Sequence, residues 1–123
     1  MNLLLDTHVL LWWASGSGLD DRAIGVISDP GNLVYVSAAS IWEVSVKQAL
    51  GKLSVDGDLD AMVADEFEPL DIGFVHARVA GELPAHHRDP FDRILIAQGK
   101  VDGLTILTRD REFSNYDVSL MQV

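Results

Sequence analysis

Asn2-Leu3-Leu4-Leu5-Asp6-Thr7-His8-Val9-Leu10-Leu11-Trp12-Trp13-Ala14 opens on a short apolar run, stops at an acid and continues in helical patterning. A run apolar on both faces reads as a buried strand, so Asn2 to Leu5 is expected to be a strand and Thr7 to Ala14 the helix after it. The pattern recurs at Leu33 to Val36, which ends at Ser37 and is again followed by helical spacing. Further short strands fit Glu68 to Asp71, Leu104 to Leu107 and Val118 to Gln122. Trp42, Val46, Leu50 and Leu53 form one helical stripe, and Phe91, Ile94, Leu95, Gln98 and Val101 a second. Helices also fit Asp20 to Ser28, Leu59 to Phe67 and Phe74 to Leu83, with Pro30, Pro69 and Pro84 as terminators and Gly51, Gly99 and Gly103 as C-caps. Strands alternating with helices predict an α/β fold: a three-layer α/β/α domain with a central parallel sheet.

The chain has 123 residues, 48% of them hydrophobic, which suits a single domain over residues 1–123 with its own core. The longest unbroken apolar run, Val9 to Ala14, is far too short to span a bilayer, and Met1 to Asp6 lacks the basic start of a secretory signal. These features predict a cytoplasmic protein. Without cysteine there is no disulfide, thiolate zinc site or Cys nucleophile, so any metal must bind through oxygen or imidazole. Nine Lys and Arg against 19 Asp and Glu give a net charge of −10, which argues against broad nucleic-acid binding. It also suits a module that binds basic proteins. The acids between Asp56 and Asp71 read most simply as a solvated helix with its flanks.

In open parallel sheets ligands bind beyond the carboxyl ends of the strands, so acids just after strands or at nearby helix starts carry the most information. Each has a structural reading. Asp6 can cap the helix that follows it. Glu43 fits a capping box with Ser40 and an i,i+4 pair with Lys47. In His87-Arg88-Asp89-Pro90-Phe91-Asp92-Arg93, Asp89 makes an N-cap, Pro90 suits the first helical position and Asp92 the third. Asp110 can cap a turn. If Asp6 and Asp110 leave adjacent strand ends and Glu43 and Asp92 face the same edge, however, four carboxylates converge, a cluster that calls for a divalent cation. Oxygen-only ligands select Mg²⁺ or Mn²⁺, which can stabilise the attacking and leaving oxygens of a phosphodiester.

Four motifs, Leu3-Leu-Leu-Asp6-Thr7-His8, Ser37-Ala-Ala-Ser-Ile-Trp-Glu43-Val, His87-Arg-Asp-Pro-Phe-Asp92-Arg93 with Ile94-Leu-Ile-Ala97, and Leu107-Thr108-Arg109-Asp110, closely resemble the PIN-domain family. Their combination is similar to its VapC-type toxins of bacterial type II toxin–antitoxin modules, and the resemblance runs from Asn2 to Val123. It implies an Mg²⁺- or Mn²⁺-dependent endoribonuclease acting on RNA, as a homodimer or in a heterocomplex with a small antitoxin protein. Carried over by position, the catalytic and metal-holding residues are Asp6, Glu43, Asp92 and Asp110, supported by Thr108. Asp89 is an additional acid that its capping role explains equally well.

Lys47, Arg88, Arg93, Arg109 and Arg111 lie within four positions of these acids, where they serve either RNA or surface ion pairs. His8, His86 and His87 are less favoured as ligands or acid–base groups, since four carboxylates leave no need for them. Trp12 and Trp13 cannot point the same way from one helix and are expected to pack against different layers. Two other functions compete. A haloacid-dehalogenase-like phosphatase needs a second aspartate two positions after the first, where this chain has His8. A non-catalytic acidic binding module predicts that metal is irrelevant.

Overall fold

The computed structural model describes residues 1–86 and 89–123, so His87 and Arg88 lie outside the described residues. The elements in chain order are β1 (Asn2–Leu5), α1 (Thr7–Ser15), α2 (Asp21–Ser28), β2 (Leu33–Ser37), α3 (Ala38–Ala49), α4 (Leu59–Glu66), β3 (Glu68–Leu70), α5 (Phe74–Glu82), α6 (Pro90–Asp102), β4 (Thr105–Thr108), a 3₁₀ helix (Arg111–Asn115) and β5 (Leu120–Gln122). The five strands form one all-parallel sheet in the order β3-β2-β1-β4-β5. The expected three-layer α/β/α architecture is therefore observed.

Period-2 alternation on β1 divides the core. Leu3 and Leu5 face a cluster with Val9, Leu10, Ile27, Val34, Val36, Val63, Phe67 and Leu107, built largely from α1, α2 and α4. Leu4 faces the opposite cluster with Leu95, Ile96, Leu104, Ile106 and Phe113, covered by α5 and α6. β1 is completely buried from Leu3 to Leu5, as its uninterrupted apolar run requires. Because β1 pairs with β2 on one side and β4 on the other, the winding direction reverses beside it. The carboxyl ends of β1 and β4 open the crevice where such sheets bind ligands.

Several local expectations are corrected. The stripe Trp42, Val46, Leu50 and Leu53 is not the core face of α3: Trp42 is 52% and Leu50 62% exposed, and the helix ends at Ala49, before Leu53. Its buried residues are Ala39, Ser40, Glu43 and Val44, because α3 turns its polar, site-bearing side inward. Ser40 does not start a capping box, since the N-cap is Ser37, whose hydroxyl accepts from Ala39 N–H at 3.0 Å. Gly99 is not a C-cap but lies inside α6, where an added Cβ would stand 3.0 Å from both Ile106 Cδ1 and Val118 Cγ2. The C-cap there is Gly103, whose φ of +67° is a left-handed conformation that glycine adopts without strain. Val101, placed on the second stripe, is 41% exposed.

Trp12 and Trp13, expected against different layers, are both half-buried against the α1-side core. Trp13 packs edge-on against Phe67 at 5.9 Å, whereas Trp12 carries the Arg109 guanidinium 4.1 Å above its ring. All seven acids between Asp56 and Asp71 are exposed, in keeping with a solvated segment. No helix among the described residues is long and apolar enough to cross a membrane.

Candidate active site

β1 passes into α1 through Asp6 alone, and β2 passes into α3 with no intervening residue. Side chains at these junctions are therefore fixed by the sheet. Asp6 is 3% exposed and occupies the N-cap position of α1 but makes no side-chain cap bond. Its Oδ2 instead accepts from Thr108 Oγ1 at 2.8 Å, across the seam between β1 and β4, where Asp6 N–H also donates to Leu107 O. Thr108 Oγ1 in turn accepts from Asp110 N–H at 3.0 Å, so one buried hydroxyl ties the ends of both strands together. Burial pushes the Asp6 carboxyl above its ordinary pKa; the Thr108 hydrogen bond, His8 and the Thr7 N–H oppose that rise, and the Glu43 charge adds to it.

Glu43, 2% exposed, points inward from the second turn of α3. Its Oε2 accepts from Lys47 Nζ at 2.6 Å, so the expected i,i+4 pair is present. This bond raises the Lys47 pKa against the effect of its own desolvation, helped by the charges of Glu43, Asp89 and Asp92. Asp92 sits at the third position of α6, behind Asp89, whose Oδ1 accepts from the N–H groups of Phe91 and Asp92, and Pro90. Desolvation pushes the Asp92 carboxyl up to about 8, with further contributions from the charges of Asp6, Asp89, Glu43 and Asp110. Asp110 Oδ1 accepts from Glu112 N–H at 2.9 Å and starts the 3₁₀ helix, so its expected turn-capping role is real.

The four acids thus lie at one edge of the sheet, within electrostatic reach of Asp92. Among the described residues no three Asp, Glu or His side chains are closed into a preformed metal cage. Two buried oxygens there nevertheless have no hydrogen-bond partner, Asp6 Oδ1 and Glu43 Oε1. A buried carboxylate oxygen is costly to leave unpaired, and a hard cation satisfies it with the oxygen chemistry Mg²⁺ and Mn²⁺ prefer. This donor set fits a divalent ion.

Several nearby groups are committed elsewhere. Arg109 donates from Nε to Val123 O and from Nη2 to Gly18 O while stacking on Trp12. Arg93 donates to the carbonyls of Ala80, Leu83 and Pro84, closing the C-terminal end of α5. Both guanidinium groups are thus tied to backbone carbonyls, Arg109 at an exposed position and Arg93 at a half-buried one. Arg111 is exposed, as are His8 and His86; the His86 ring lies 5.3 Å from Tyr116. Sequence reasoning missed Thr7 and Ser40 beside the site, whose buried hydroxyls hydrogen-bond at 2.9 Å. The one sequence-level sign was a hydroxyl directly after Asp6 and another three residues before Glu43.

The PIN domain family profile matches residues 3–119. No curated protein matches the chain in sequence. Among solved structures, VapBC2 from Rickettsia felis bound to a promoter DNA fragment contains a similar chain, with TM-score 0.73 and 15% identity over 100% of this chain and 99% of that one. DNA-bound VapBC from Salmonella typhimurium gives 0.72 and 17%, covering 99% and 98%. VapBC-5 from Mycobacterium tuberculosis, a member of the VapBC family of toxin–antitoxin systems, gives 0.64 and 21%, covering 99% and 97%.

Proposed function

This chain belongs to the PIN-domain family, whose members are in general nucleases that use divalent metal ions, and from that premise we propose that it is an Mg²⁺- or Mn²⁺-dependent endoribonuclease acting as the toxin of a toxin–antitoxin pair. The observation that carries the reading is the pair of buried, partnerless oxygens, Asp6 Oδ1 and Glu43 Oε1, at the carboxyl edge of the sheet. Asp6, Glu43, Asp92 and Asp110 would hold the ion, with Thr108 fixing the Asp6 carboxylate through its 2.8 Å bond. When bound, such an ion supplies Lewis acidity toward a phosphodiester and a water of lowered pKa. The chain's own part is to bind and orient. Asp6 and Glu43 present their unpaired oxygens, Thr108 keeps Asp6 from rotating, and the Asp89 cap sets the start of α6 so that Asp92 points toward the other acids.

The remaining surface is acidic, so the RNA contact is local and centred on this edge rather than spread over the domain. The VapBC neighbours are toxin–antitoxin complexes, which supports a small antitoxin as partner. The single domain of residues 1–123 works as a homodimer or in a heterocomplex with that antitoxin, in the cytoplasm.

The test is RNA cleavage by purified protein with Mg²⁺, Mn²⁺ or EDTA, alongside Asp6→Asn, Glu43→Gln, Asp92→Asn and Asp110→Asn. Metal-dependent cleavage abolished by each substitution is expected, with slowed bacterial growth on expressing the wild type alone. Cleavage indifferent to EDTA, or equal toxicity across the set, refutes the reading and favours a binding module. Residues acting as a unit give double mutants scarcely worse than singles.

A further inference from the structure

Asp6 and Glu43 belong to different strand–helix units, and the charge of Glu43 reaches Asp6. Like charges push apart, so something must hold their carriers at a set separation. Thr7 is the first residue of α1, directly after Asp6, and Ser40 lies one helical turn before Glu43 on α3. Thr7 Oγ1 donates to Ser40 Oγ at 2.9 Å, with the two residues 2% and 0% exposed. Among the described residues this is the one side-chain hydrogen bond joining α1 to α3. Two apolar groups of the same shape would fill this space at little cost in stability, because a neutral pair gains little over its hydration. They would not fix the spacing of α1 and α3, since apolar contacts are non-directional.

We propose that Thr7 and Ser40 are a positioning pair: their buried hydrogen bond sets the separation of Asp6 and Glu43 so that their unpaired oxygens meet one divalent cation. The inference rests on the metal-holding role proposed above for those carboxylates. Neither hydroxyl is a metal ligand or touches substrate; both act through the acids beside them.

Calorimetric titration with Mn²⁺, without RNA, and melting in EDTA separate the two ideas. Thr7→Val and Ser40→Ala each strand one buried polar atom and are expected to lower the melting temperature and weaken Mn²⁺ binding. The double variant Thr7→Val/Ser40→Ala, with both polar atoms gone, should melt close to wild type in EDTA yet bind Mn²⁺ about tenfold more weakly. Thr7→Ser keeps the hydroxyl and should bind Mn²⁺ as wild type does. Wild-type Mn²⁺ affinity in the double variant overturns the positioning role, as does Thr7→Ser binding as weakly as Thr7→Val. If Thr7→Val does not fold, Ser40→Ala is read alone, and wild-type Mn²⁺ affinity in it overturns the positioning role. Asp6→Asn is the control. Its loss of Mn²⁺ binding beside a fully competent double variant removes only the positioning role, whereas unchanged binding by Asp6→Asn removes the metal site itself and this inference with it.

Discussion

Replacing Asp92 with asparagine should stabilise the metal-free protein and destabilise the metal-bound one relative to wild type. Burial and four neighbouring acids move the Asp92 carboxyl from an ordinary 3.8 to about 8. A carboxyl raised in the folded state keeps its proton there after the unfolded chain has lost it. Stability is therefore fully present below about pH 4 and drains away as the pH rises toward 8. At 1.36 kcal/mol per pKa unit the full shift corresponds to a ceiling of about 6 kcal/mol. Asp92 is only half-buried, and contact with water reduces the working figure to about 2 kcal/mol at pH 8. Asparagine also forfeits ~0.3 to 1 kcal/mol of carboxylate interaction with the start of α6, leaving a net gain of about 1 to 2 kcal/mol in EDTA at pH 8. For a domain of this size that is a rise of roughly 4 to 8 °C in Tm, shrinking to nothing near pH 4. Excess Mn²⁺ reverses the order, because wild type gains about 2.7 kcal/mol at one hundred times Kd and the variant loses most of that gain. Thermal melts at pH 4.5, 6 and 8, with EDTA or Mn²⁺, provide the assay. An identical Mn²⁺ shift in both proteins would refute the metal role of Asp92, and an EDTA difference that does not grow with pH would refute the electrostatic account.

Other outcomes follow from the same geometry. Thr108→Val removes the donor to Asp6 Oδ2 and the acceptor for Asp110 N–H, and should cost about 1 to 3 kcal/mol in urea unfolding together with most nuclease activity; unimpaired activity would show that Asp6 needs no orienting group. Arg109→Ala deletes two carbonyl bonds and the Trp12 stack, so stability should fall by about 1 to 2 kcal/mol while Mn²⁺ affinity is unchanged, a result measurable by melting and calorimetry. Gly99→Ala drives a methyl into Ile106 and Val118, and overpacking should exceed the ~1 kcal/mol helix gain, for a net loss of about 1 kcal/mol; a more stable variant would mean that this seam can widen. An antitoxin that blocks the site by inserting Lys or Arg among the acids should inhibit in competition with Mn²⁺, whereas inhibition constant across a metal titration places the block on the RNA-binding surface.

The strands were legible to within two residues because each is a short apolar run bounded by polar residues, and the all-parallel sheet followed from their alternation with helices. What failed was the inward face of α3. A hydrophobic stripe normally marks the buried side, but this helix buries Ser40 and Glu43 to serve the site and leaves Trp42 outside, edge-on to Phe91 at 4.7 Å. The Ser37-Ala-Ala-Ser40 stretch offers two hydroxyls as N-caps, and only the direct passage of β2 into α3 decides between them. The four acids were legible as positions beyond strands or at helix starts. Which oxygens lack partners, and which arginines are occupied by distant carbonyls, depends on contacts across the sheet that spacing along the chain does not encode.

The bond from Thr108 to Asp6 joins residues 102 positions apart, and it has a consequence in time. A ribosome adding ~5 to 20 residues per second delivers Thr108 and Asp110 only several seconds after Asp6. Until then β1 lacks its β4 neighbour, and Asp6 has neither its orienting hydroxyl nor the last acid of the edge. A chain that stops before β4 therefore cannot assemble this edge of the sheet. The acidic edge is completed only once β4 has docked beside β1, so folding of the first strand–helix unit does not by itself create the site.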